Sequence, residues 1–240
     1  MALSFVDIHT HILHGIDDGA RDREESIAIA VKALEDGAKA VVATPHYSLD
    51  LIRSAYLDIV ENKFNELKAA LALKAAGLEL VLGAEVLLEV GLPQFVKREK
   101  RITIGGLGRH ILVEMPLSGI PPYAQSVVFE FLANNIVPIW AHPERCPDVM
   151  QDFRAAKPFA DNGMLLQVNA GSLLGAYGRT VKNAAKKLIE NGLGHVIASD
   201  THRFTNGIAP MADACLCIEK LAGAGRADAM AFTCPTSLLG

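Results

Sequence analysis

Seven segments of this chain carry imidazole or carboxylate side chains of the kind that bind metal ions. They are His9-Thr10-His11, Asp17-Asp18-Gly19, His46, Glu85, Glu114, His142 and Asp200-Thr201-His202. On extended backbone, residues i and i+2 share a face. His9 and His11 can therefore reach one ion, and Asp200 and His202 repeat that spacing. A lone His-x-His, or a lone glutamate after a strand, means little by itself. The set taken together means more, because it supplies about nine donors, more than one ion needs. Its carboxylates would repel one another strongly if packed without cations. Mixed nitrogen and oxygen donors suit manganese, iron, zinc or cobalt; manganese is the first expectation, and magnesium a further alternative. We expect two or three divalent or trivalent ions.

Short β-branched runs alternate with helical patterns and could bring these donors together. Strands are expected at Leu3–Ile8, Ala40–Thr44, Glu79–Gly83, Ile111–Val113, Val137–Ala141, Met164–Val168 and His195–Ser199. Between them lie helices, including Asp22–Asp36 capped by Asp22, Ser54–Ala76 stopped by Gly77, and a polar helix over Asp148–Asn162. The stretch Glu85–Ile104 reads as short irregular pieces. Seven apolar strands with helical connections indicate a parallel α/β sheet or barrel in one domain spanning residues 1–240. In such a barrel the carboxyl ends of the strands form one rim, where active sites are built. The candidate donors follow or end six of the seven strands. His110 and His195 begin strands instead, so they belong to the opposite rim and are expected to be structural. His14 is expected to be exposed in the first loop.

The 240 residues are 50% hydrophobic and 21% charged, which excludes a disordered chain. A formal net charge of −4 provides no global field for nucleic acid. The amino terminus lacks the pattern of a signal peptide, and charges such as Lys74, Glu79 and Glu85 interrupt the longer apolar stretches. A cytoplasmic protein without membrane insertion is expected. Cys146, Cys215, Cys217 and Cys234 lack zinc or redox spacing and read as reduced small hydrophobes. The Arg98–Arg101 stretch reads as a solvated basic face. A cysteine-nucleophile phosphatase is excluded, since none of the four cysteines is followed six residues later by arginine. No phosphate-binding P-loop, His-Glu-x-x-His or Gly-x-Ser-x-Gly motif occurs.

The segments Asp-Ile-His-Thr-His-Ile-Leu (7–13), Asp-Asp-Gly (17–19) with Arg-Glu-Glu-Ser (23–26), and Ala-Thr-Pro-His (43–46) fall in a characteristic order. Gly-Ala-Glu (83–85), Ala-His-Pro-Glu-Arg (141–145), Gln-Val-Asn (167–169) and Val-Ile-Ala-Ser-Asp-Thr-His (196–202) continue it. Together they resemble the polymerase-and-histidinol-phosphatase (PHP) superfamily. Within it they resemble the bacterial CpsB/CapC type of metal-dependent protein-tyrosine phosphatase. The resemblance covers nearly the whole chain. It implies a distorted (β/α)7 TIM-like barrel, in agreement with the seven strands read above. It also implies a division of the ligands. One ion would take His9, His11, Glu85 and Asp200. A second would share Glu85 and add Glu114 and His142, and a third would take Asp18, His46 and His202. Asp18 is preferred to Asp17 because the family ligand directly precedes the glycine. Arg145 matches a phosphate-binding arginine of the family. Relatives carry another arginine soon after the last histidine. Residues 205–210 contain none, and Arg203 is the candidate replacement.

The implied activity is phosphomonoester hydrolysis by metal-activated water, with the phosphotyrosine tail of a tyrosine autokinase in capsule or exopolysaccharide control as substrate. A histidinol-phosphate type of small-molecule phosphatase, a PHP-type nuclease and a non-catalytic metal-binding regulator are the alternatives. The four acidic ligands match the net charge of −4 in number. Divalent ions would reverse that sign and make the pocket attractive to a phosphate.

Overall fold

The computed structural model describes residues 4–51, 54–204 and 210–240. Its first half runs β1 (Phe5–Thr10), α1 (Arg23–Glu35), β2 (Ala38–Ala43), β3 (His46–Tyr47), α2 (Ser54–Lys74), β4 (Glu79–Leu82), β5 (Glu85–Leu87) and α3 (Leu92–Arg98). Then follow β6 (His110–Glu114), α4 (Ala124–Ala133), β7 (Val137–Ala141), α5 (Pro147–Gln151), α6 (Lys157–Asp161) and β8 (Leu165–Asn169). The last elements are α7 (Ala170–Leu174), α8 (Arg179–Glu190), β9 (Val196–Ala198), α9 (Met211–Ala222), α10 (Ala224–Asp228) and α11 (Cys234–Leu239).

All strand pairs are parallel, in two runs ordered β1-β2-β4 and β3-β5-β6-β7-β8-β9. The nine strands make seven staves, because β2–β3 and β4–β5 are single staves, each interrupted once. The first break falls at Thr44-Pro45, where proline has no N–H to give the ladder. The second falls at Gly83-Ala84. Backbone bonds carry the staves across: Thr44 N–H to Thr10 O (2.8 Å), Gly83 N–H to Ala43 O (2.9 Å) and Glu85 N–H to Pro45 O (3.0 Å). The ring closes between β9 and β1. Asp200 N–H donates to His9 O and His11 N–H to Thr201 O, both at 2.9 Å. The buried Asp7 carboxylate accepts from Ser199 N–H at 3.0 Å, standing in for a missing ladder bond. The architecture is a distorted (β/α)7 barrel.

Apolar residues fill the barrel and coat its outer wall as two separate cores. Val6, Ile8, Ala40, Val42, Leu112, Ile139, Ala141, Val196 and Ala198 face inward. Ile104, from the turns after α3, and Leu238, from α11, pack into the same inner cluster. A larger core, including Phe131, Trp140 and Leu188, lies between strands and helices.

Several sequence expectations change. The first strand extends to Thr10, so His9 lies within it. The helix expected over Asp148–Asn162 is broken into α5, a 3-10 turn at Phe153–Ala156, and α6. Pro158 cannot continue a helix, and Asp152 is extended (φ −143°), its side chain capping the turn at Arg154 N–H. Asp22 caps α1 as expected, accepting from Glu25 N–H at 2.8 Å. His14 is buried, not exposed, lying 2.9 Å from Lys63 Nζ. Arg101 is not part of a free basic face, since it bridges Asp58, Glu61 and Glu99. Among the described residues, no helix is long and apolar enough to cross a membrane.

Candidate metal centre

The strand ends deliver their donors through local departures from regular geometry. Between Asp7 and Thr10, β1 advances three residues while β2 advances two, from Val41 to Ala43. This bulge lets His9 face the barrel axis directly after the inward Ile8, and His11 follows on the same side. Among the described residues only three non-glycines have left-handed φ, and two are His142 (35°) and Asp200 (55°). Such backbone costs roughly 1–3 kcal/mol per residue, so it is kept where the surroundings over-determine it.

The innermost donors crowd around the His9 and His11 imidazoles. His9 Nε2 lies 3.2 Å from His11 Nε2, 3.2 Å from Glu85 Oε2 and 3.3 Å from Asp200 Oδ1. His11 Nε2 lies 3.3 Å from Glu85 Oε2 and 3.5 Å from Asp200 Oδ1. An ion holding four ligands tetrahedrally at ~2.0–2.1 Å would separate them by roughly 3.3 Å. Glu85 Oε2 and Asp200 Oδ1 are buried and have no hydrogen-bond partner among the described residues.

A chain of side chains on β8 sets the proton positions. The carboxylate of Asp200 can only accept, so Asn169 must turn its amide NH₂ toward Oδ2, at 2.6 Å. Its carbonyl then receives the Gln167 amide NH₂ (2.7 Å), and Gln167 Oε1 is left facing His9 Nδ1 (2.9 Å). That nitrogen must donate. Asp17 Oδ2 likewise takes the proton of His11 Nδ1 at 2.8 Å. In neutral His9 and His11, the lone pairs of both Nε2 atoms would then point at each other, an arrangement that a cation satisfies.

Glu85 reaches further. Its Oε1 is 2.8 Å from His142 Nε2, which is 3.7 Å from Glu114 Oε1, and its Oε2 is 3.1 Å from His46 Nδ1. Asp18 Oδ1 faces His46 Nε2 (3.6 Å) and His202 Nε2 (3.4 Å), making a third, more open group in which Asp18 is exposed. Asp18, not Asp17, meets these two imidazoles. Asp17 instead braces His11 and the backbone N–H groups of Gly19 and His46. All nine candidate donors thus converge on one rim, in overlapping groups each compact enough for an ion.

The electrostatics follow from this crowding. Burial opposes a charge on His9, but Glu85 and Asp200 outweigh it and hold its pKa up at about 9. Burial also disfavours ionisation of Glu85 and Asp200, yet the neighbouring imidazoles keep both well below the usual carboxylate range. Glu114 is pushed upward, by burial and then by the charge of Glu85. His202 is pushed downward, by burial and then by His11.

Above the donors opens a cleft of about 830 Å³. Arg145 and Arg203 both line it. Arg145 Nη1 donates to Asp200 Oδ2 (3.1 Å), and its guanidinium lies 4.9 Å from the Tyr177 ring centroid. Arg203 Nη1 is 3.9 Å from the buried carboxylate of Glu25. That carboxylate also accepts from Phe204 N–H and from Arg21, so α1 anchors the segment after β9. Residues 205–209, where the sequence lacks the second arginine, lie outside the described residues.

The donor-holding roles of Asp17, Gln167 and Asn169 were not assigned from sequence. A signal was present, because Gln167 and Asn169 repeat the i, i+2 spacing of His9 and His11 at a strand end.

A parallel barrel with clustered nitrogen and oxygen donors on its carboxyl rim is the build of a metal-dependent hydrolase. Residues 5–240 match the family model described as "Capsular polysaccharide synthesis, CpsB/CapC", and the chain belongs to that family. It is 36% identical over 203 residues to the CapC protein of Staphylococcus aureus, covering 84% of this chain and 78% of that protein. It is 28% identical over 197 residues to the tyrosine-protein phosphatase YwqE of Bacillus subtilis, covering 82% and 77% respectively. A solved structure reported for YwqE of B. subtilis and CpsB of Streptococcus pneumoniae, described as metal-dependent tyrosine phosphatases, superposes with a TM-score of 0.88. The identity there is 26%, over 98% of this chain and 94% of that one.

Proposed function

We propose that the chain hydrolyses phosphotyrosine with two or three metal ions held by His9, His11, Asp18, His46, Glu85, Glu114, His142, Asp200 and His202. The enzyme class is that of its family, a metal-dependent tyrosine-protein phosphatase of capsular polysaccharide synthesis. The observation that carries the metal assignment is the inner group: two Nε2 atoms 3.2 Å apart, each within 3.5 Å of Glu85 Oε2 and Asp200 Oδ1, which have no hydrogen-bond partner among the described residues. The residues fit an ion in donor type and in spacing. Bound divalent ions supply Lewis acidity and make water a competent nucleophile near neutral pH.

The chain's own groups do the rest. Arg145 is held by Asp200 and Tyr177; its other N–H groups have no protein partner among the described residues and can bind phosphoryl oxygens in the cleft. Arg203, tethered beside Glu25, offers a second cation at the cleft wall. Gln167 and Asp17 keep Nδ1 of His9 and His11 protonated, so that Nε2 faces inward. A phenolate leaving group, with pKa about 10, departs without a strong general acid. No nucleophilic side chain is required.

Manganese is our first choice of metal, and the cytoplasm of compartment. One domain covers 1–240. The physiological substrate in this reading is the phosphorylated tail of a tyrosine autokinase. The test is turnover of a phosphotyrosine peptide against histidinol phosphate by the metal-loaded protein. A preference for the peptide is expected, and a strong preference for histidinol phosphate would overturn the substrate assignment.

A further inference from the structure

A second, smaller pocket of about 250 Å³ opens beside the metal centre. Glu114, His142 and Arg145 line both spaces, so the two are continuous at the point where a phosphoryl group would be held. Deeper in, its walls include Met115, Trp140, Met150 and Val181, contributed by β7, α5, α8 and the residue after β6. Leu117 and Tyr177 line both spaces as well. Leu117 is 85% exposed and Tyr177 46%, an unusual display of apolar surface at the mouth of a charged site.

We propose that this pocket seats the aryl ring of the substrate's phosphotyrosine. The inference rests on the tyrosine-phosphatase reading and deepens it. In an aryl phosphate one oxygen joins ring and phosphorus, so a phosphoryl group held by Arg145 carries its ring within a few ångströms of that side chain. Its surroundings then divide into the wide cleft, where charged donors stand beside apolar residues such as Leu174 and Pro210, and this narrower recess walled mainly by apolar side chains, which encloses a ring more fully. Burial there removes apolar surface of both ring and walls from water. The polar substituent of an alkyl phosphate would gain nothing against methionine and valine side chains. Tyr177, braced by Arg145, and Leu117 would flank the ring as it enters.

The experiment compares kcat/KM for phenyl phosphate and for glycerol phosphate in the metal-loaded wild type, Met150→Asp and Leu117→Asp. Leu117 is exposed, so its variant keeps the test open if Met150→Asp fails to fold. The ratio of aryl to alkyl kcat/KM should fall about tenfold in each, the scale of burying part of a ring. An unchanged ratio overturns the assignment. So does a loss seen only with phosphotyrosine peptides and not with phenyl phosphate, because the pocket would then hold a neighbouring side chain. If the wild type hydrolyses neither these esters nor a phosphotyrosine peptide, the proposed function falls, and the pocket is judged by calorimetry with phenylphosphonate and methylphosphonate. Tighter binding of the phenyl compound, lost in the variants, supports it; equal affinity overturns it.

Discussion

At the scale of single residues, the cluster contains groups that orient the candidate donors as well as the donors themselves. Gln167 is such a group, since it fixes which nitrogen of His9 is free. Replacing it with alanine should lower metal affinity roughly 10–100-fold, the usual cost of removing a partner of a ligating histidine. Competition with a colorimetric chelator measures this, and wild-type affinity in Gln167→Ala would refute the role. The two neighbouring aspartates should behave differently. Asp18→Asn removes a donor from the open group and should reduce the ions retained per chain. Asp17→Ala keeps that group but loses the acceptor for His11 Nδ1, and should weaken the inner group instead. Elemental analysis after dialysis distinguishes them; identical metal contents would contradict the division. The candidate donors and their order could be read from the sequence because most lie at a strand end in a recognisable run, with Asp18 in the loop after the first strand. The orienting residues were less so, because a glutamine or asparagine acquires such a role only from the side chain opposite it in space.

At the scale of elements, the alternation of strand and helix, the cap at Asp22 and the boundaries of β7 could be read locally. The bulge in β1, the breaks at Pro45 and Gly83 and the splitting of α5 from α6 depend on what each segment meets across the barrel. A period-two reading correctly put His9 and His11 on one face but could not reveal that a bulge turns that face inward. Glu25 shows how an element supports the site. From α1 it binds Arg21 and Phe204 N–H, and the contact with Arg21 brings its pKa down to about 2 from 4.5. A carboxylate depressed on folding stabilises the protein above its unfolded pKa, and that contribution is lost as pH falls from 4.5 toward 2. Glu25→Gln should therefore show a smaller drop in urea midpoint between pH 5 and about pH 3 than the wild type does. Parallel losses would show that Glu25 is not the group responsible.

At the scale of the whole molecule, one end of the barrel works and other parts hold it shut. Leu238 of α11 is buried in the inner core beside Ile104, remote in sequence from every donor. Leu238→Ala should cost about 2–5 kcal/mol and lower Tm clearly, while metal stoichiometry at low temperature is retained. Coincident loss of both would mean that the tail also shapes the rim. Barrel closure through Asp7, His9 and His11 joins the first stave to the last, so His9 and His11 meet Asp200 from the far side of the sequence, with Glu85 from between, and the inner donors assemble only on folding. In the proposed function this assembled cluster holds the ions that make the chain a phosphatase. That role is tested most directly by following metal content and phosphotyrosine turnover in the same samples as a chelator withdraws the ions and manganese is then restored. Turnover should fall with metal content, return with it, and be absent in His9→Ala under equal loading. Full turnover by protein shown by elemental analysis to be metal-free would contradict it.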